Sequence, residues 1–62
     1  MKTRQMMNNG TVREYNLVGF MLEYKENGIT KSTDTLSYDQ VMQFRADMIE
    51  MEDEGSLEIV SL

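Results

Sequence analysis

The chain has 62 residues, of which 27% are charged and 40% hydrophobic, a net charge of −5, and neither cysteine nor histidine. This length builds one small domain, which buries only about 60% of the surface its unfolded chain exposes. Disulfides, thiolate sites and imidazole ligands are excluded together, which leaves self-association as the most economical extra stabiliser. The composition is that of a folded chain. No apolar run approaches the roughly 18 residues of a membrane span. Met1–Met7 has no apolar core of signal-peptide length, so a cytoplasmic location is expected. The spaced ligands and central glycine of a calcium loop are absent, and no metal or cofactor is expected.

Residues 1–10 read as a mobile N-terminal arm, polar apart from Met6 and Met7, and ending in the turn signal Asn8-Asn9-Gly10. Residues 11–62 then form a single α+β domain. Residues 11–25 read as one long strand. Tyr15 and Leu17 alternate on one parity, and Phe20, Leu22 and Tyr24 on the other. A β-bulge at Val18-Gly19 would bring all five to one face; the alternative is a central strand covered on both faces. Asn27-Gly28 is a type I′ hairpin signal, because both positions need φ > 0. Residues 29–36 have strong β formers and little apolar content, as an edge strand does, with Lys31 and Asp34 discouraging edge pairing.

Ser37 and Gln40 make a capping box, flanked by Leu36 and Val41 at the positions of a hydrophobic staple. Asp39 in the first turn suits the helix macrodipole. The helix is predicted from Tyr38 to about Asp53, with Gly55 ending it in the left-handed conformation. At 100° per residue Val41, Phe44, Met48 and Met51 form a stripe about 80° wide, which Tyr38, Met42 and Ile49 extend to roughly 180°. Arg45 and Glu52 fall inside that arc, which is unusual for a core face. Residues 56–62 read as a last short strand. The predicted architecture is a three-stranded antiparallel sheet, β-β-α-β, in the order 2-1-3, with one helix packed on a face and a right-handed crossover.

Charge is unevenly placed. Residues 1–33 carry five bases against three acids, +2, and residues 34–62 carry eight acids against Arg45 alone, −7. An acidic domain repels phosphate backbones, so direct nucleic-acid binding is not expected, and neither is membrane binding. No histidine activates the serines or threonines, and no glycine-rich loop opens a helix in a phosphate-binding pattern, so no catalytic residue is assigned. Glu50, Glu52, Asp53 and Glu54 crowd the last helical turn, where the macrodipole favours cations. One reading is a solvated charge run. The other is a surface for a basic partner, imitating the phosphates of DNA, with Asp47 nearby and Met42, Ile49 and Met51 as adaptable apolar contacts beside it.

With a hairpin followed by a helix opened by Leu36-Ser37, the chain resembles the small acidic proteins that bacteriophages make to block host enzymes. Some of these inhibit uracil-DNA glycosylase by imitating DNA, and a Bacillus-phage example is similar in element order. The resemblance covers residues 15–50 in topology and carries over no inhibitor residue. It implies a non-enzymatic inhibitor acting in the host cytoplasm. The expected function is therefore a protein-binding module, a homodimer that occupies a basic site on a host protein through Asp47, Glu50, Glu52, Asp53, Glu54, Met42 and Ile49. Two rivals stay open. One is a small structural or regulatory homodimer whose acidity only gives solubility. The other is a nucleic-acid binder using Lys2, Arg4 and Arg13.

Overall fold

A computed structural model describes residues 1–62. The elements in chain order are β1 (Lys2–Met6), β2 (Val12–Val18), β3 (Met21–Glu26), β4 (Ile29–Thr35), α1 (Tyr38–Asp53) and β5 (Glu58–Ser61). The chain is α+β, but its sheet has five strands in the order β4-β3-β2-β1-β5, every neighbouring pair antiparallel. The expected three-stranded sheet in the order 2-1-3 is thereby corrected. Two features account for the two extra strands, a reversal of the chain at Gly19 and a strand at the N-terminus.

The first lies at Gly19. Val18 pairs with Met21, so Gly19-Phe20 is a two-residue hairpin turn, with Gly19 at φ +61°. A positive φ at the first central residue alone is the type II′ pattern, which matches the twist of the flanking strands and takes glycine there. The change of parity marks a reversal of the chain rather than a bulge. Tyr15 faces Tyr24 and Leu17 faces Leu22 across the two strands, so these four do share one face. Phe20 does not, because it sits at the tip of the turn.

The second lies at the N-terminus. Residues 1–10 are not an arm: β1 runs between β2 and β5, with Thr3 opposite both Tyr15 and Ile59. Met1 exchanges two backbone hydrogen bonds with Leu17, each 2.8 Å. The final strand therefore lies beside β1 rather than beside the chain's most apolar strand. Asn27-Gly28 forms the expected type I′ turn, with φ +51° and +80°. It delivers β4 to an edge, where it is exposed along its whole length.

Both edge strands carry a bulge. Tyr24 pairs with Ser32 and Lys25 with Thr30, leaving Lys31 as the extra residue of β4. Thr3 pairs with Ile59 and Lys2 with Ser61, leaving Val60 as the extra residue of β5. A bulge interrupts the row of free N–H and C=O groups that would otherwise recruit another strand.

The core is thin. Met1, Thr3, Leu17 and Met48 are the buried residues. Around them Tyr15 packs its ring centroid 4.9 Å from that of Tyr24 and 5.7 Å, edge to face, from that of Phe44. The expected helical stripe does face the sheet: Met48 is buried, and Val41, Phe44 and Met51 are half-buried. The other face of the sheet has no layer over it. A row of alternating charge crosses it, Glu58, Arg4, Glu14 and Lys25, each opposite the next on neighbouring strands. Such alternation suits a solvated face and stabilises cross-strand pairs.

Candidate interaction surface

Local sequence sets both ends of α1. Ser37 Oγ accepts the Gln40 N–H at 3.2 Å, and Gln40 Oε1 accepts the Ser37 N–H at 2.8 Å, so the capping box is complete. At the other end Ser56 N–H donates to Met51 O and Gly55 N–H to Glu52 O, both at 2.9 Å. This is the Schellman arrangement, with Gly55 left-handed at φ +78°. The termination places Glu50, Asp53 and Glu54 around the exposed end of the helix. No basic residue lies in the last turn.

The chain's ion pairs are Arg4–Glu14 at 3.9 Å and Lys25–Glu23 at 4.0 Å, both on the sheet. None of the helix acids has a cationic partner. The geometry nevertheless divides the expected set. Glu52 is turned toward β5, where its Oε2 accepts the Ile59 N–H at 3.1 Å. That bond explains why an acid falls inside the apolar arc: it ties the helix end to the start of the last strand. Asp47 accepts a 2.7 Å hydrogen bond from Gln43 one turn earlier. Asp47 and Gln43 flank an open groove of about 280 Å³ with Leu22, Leu36, Gln40 and Phe44, on the β3–β4 side. Met42 and Ile49 lie on the opposite flank, 50% and 46% exposed. At 100° per residue Asp53 falls within about 40° of both. On this ideal wheel Asp53 shares a flank with Met42 and Ile49, Glu50 lies on the crest, and Glu54 falls about 20° from Asp47. Glu52 stands apart through its bond to β5.

Lys2, Arg4 and Arg13 do not share one face. Lys2 and Arg4 lie on the open face of the sheet, whereas Arg13 has the parity of Tyr15 and faces the helix side opposite Glu26. Arg4 is also paired with Glu14.

The Tyr24 phenol is shifted upward from its ordinary value. Loss of solvent around its ring raises its pKa above 10, and the 3.0 Å hydrogen bond that its hydroxyl donates to Glu26, together with that carboxylate's charge, raises it further. The phenol is thereby held as a donor at the end of the β3 ladder. No group of three or more His, Cys, Asp or Glu side chains is placed to hold a metal ion. No helix is long and apolar enough to cross a membrane.

No protein-family model matches the chain, and no curated protein or solved structure matches it.

Proposed function

We propose that this chain is a non-enzymatic protein-binding module that presents the crest and one flank of α1 to a basic site on another protein. The observation that carries this reading is the unpaired acidic group Glu50, Asp53 and Glu54 beside exposed Met42 and Ile49. Acids at a helix C-terminus oppose the macrodipole by roughly 0.3–1 kcal/mol each when exposed. Glu52 has a bond that accounts for its place, and the other three have none. Charge supplies steering and orientation toward a basic partner, and the two apolar side chains supply contact area. In the phage-inhibitor form of this reading the partner is a host DNA-binding enzyme and the carboxylates stand where phosphates would lie.

The test is capture from bacterial lysate on immobilised wild-type chain and on a Glu50→Gln, Asp53→Asn, Glu54→Gln variant. A protein retained by the first, released by salt and not retained by the second supports the module. DNA should then compete for it. Equal retention by both chains ends the reading. A second reading, a small structural or regulatory homodimer whose acidity only solubilises, is favoured by the large apolar side chains exposed away from the acids, among them Val18, Phe20 and Tyr38.

A further inference from the structure

The two-residue turn between β2 and β3 holds an aromatic side chain where turns ordinarily take Gly, Asn, Asp or Ser. Phe20 is 52% exposed at its tip. The turn is not loose: Phe20 O accepts the Leu36 N–H at 2.7 Å, which ties it to the segment leading into α1. An exposed aromatic ring on a backbone fixed in this way can serve as the anchor of a protein interface.

Beside this knob lies a cleft of about 530 Å³, and Val18 and Gly19 of the same turn form part of its wall. Leu17, Val41 and Leu62 add apolar surface, and Arg45 stands at the rim. Arg45 is the one base after residue 33, is half-buried, and makes no ion pair or side-chain hydrogen bond within the chain. No Asp or Glu side chain lines the cleft, which is part apolar and part polar. An unpaired guanidinium at such a site suits the face of an aromatic ring.

We propose that a second copy of this chain docks on this end of the sheet, with Phe20 of each protomer seated in the other's cleft against Arg45. The proposal deepens the homodimer reading and does not depend on the acidic helix end. Knob and cleft adjoin through Val18-Gly19, so a two-fold axis between them lets both insertions occur at once, and the contact closes as a dimer instead of propagating. Val18 and Tyr38, 67% and 66% exposed, belong to the same end. Phe20 and Leu62, 52% and 82% exposed, add to it, and Met21 stands with Val18 on the open face of the same end. The bulges at Lys31 and Val60 close the alternative route of edge-to-edge pairing. Charge selects the same end. Two chains of −5 repel most through their acidic helix ends, and α1 runs from the Phe20 end toward those acids, so docking at the Phe20 end keeps the two clusters apart.

Sedimentation velocity of the whole chain tests this. The wild type should sediment as a dimer at about 100 µM, as a Kd near 10 µM implies. Phe20→Ser should sediment as a monomer, with dimerisation weakened at least tenfold. Serine after glycine is itself a favourable hairpin turn, so this variant should keep its fold by circular dichroism. As a measurement that needs no variant, amide chemical shifts of the wild type should change on dilution at residues 17–21 and 38–45. A monomeric wild type at that concentration, a dimeric Phe20→Ser, or dilution shifts clustered on β4 or on residues 50–54 would overturn the proposal. All variants here retain the acids, so failure leaves the basic-partner reading to its own test.

Discussion

Asn27 holds Val12 twice: its backbone N–H donates to Val12 O at 2.8 Å, and its side-chain Oδ1 accepts the Val12 N–H at 2.9 Å. One residue thus supplies the positive φ of the β3–β4 turn and closes the end of the β2 ladder two strands from β4. The two roles separate by substitution. Asn27→Gly keeps the backbone conformation and loses only the side-chain acceptor, which should cost about 0.5–1.5 kcal/mol. Asn27→Ala keeps a Cβ in the left-handed region without the short polar side chain that lets asparagine tolerate it, and should cost roughly 1–2 kcal/mol more than the glycine variant. Urea midpoints that are equal for the two variants would show that the turn conformation carries no strain for alanine.

Ser37→Ala should lower stability by about 0.5–2 kcal/mol, because the Gln40 N–H then loses its acceptor. The loss should be smaller in a Gln40→Ala background if the two halves of the capping box act together. A urea midpoint unchanged by Ser37→Ala would mean that water replaces the cap without penalty.

The raised Tyr24 pKa makes a pH prediction. The folded state holds this proton more tightly than the unfolded chain does. The stabilisation is therefore fully present below about pH 10 and is lost as pH climbs through the higher folded value. Thermal midpoints should fall on the alkaline side with a slope that Tyr24→Phe reduces. Glu26→Gln removes the charge that contributes to the shift and should bring the Tyr24 phenolate absorbance in at lower pH. Alkaline titrations that coincide for wild type and Glu26→Gln would disprove the coupling.

What was legible in the sequence follows the range of the interactions. The helix, its cap, its buried stripe and the Asn27-Gly28 turn rest on residues within a few positions of one another, and each is found as read. Gly19 was recognised as a break in phase, but a bulge and a II′ turn both use glycine there. The apolar Val18, Phe20 and Met21 around it concealed the turn. β1 has no apolar alternation to announce it. Thr3, only 1% exposed, is buried because Tyr15 and Ile59 flank it from strands distant in sequence. The candidate surface was limited in the same way. That acids crowd the helix end is local information, but that Glu52 alone reaches Ile59 depends on where β5 docks.

That distinction within the acidic turn gives the last prediction. Glu50, Asp53 and Glu54 oppose the macrodipole without a partner, so the Glu50→Gln, Asp53→Asn, Glu54→Gln variant should be more stable than wild type by about 1–2 kcal/mol at low salt. Glu52→Ala also removes an adverse charge, yet it strips the Ile59 N–H of its acceptor and should be destabilising, by roughly 1 kcal/mol. If the three free acids serve binding, the stabilised triple variant should lose affinity for a basic partner, and the loss should shrink as salt is raised. Stability gained against function is the expected sign wherever a surface is kept for contact. Thermal melts of the two variants, with binding measured at low and high salt, decide the matter. A triple variant that is stabilised and binds undiminished at low salt makes the acidic turn a solubility feature alone. A Glu52→Ala variant as stable as the triple variant removes the structural role assigned to Glu52.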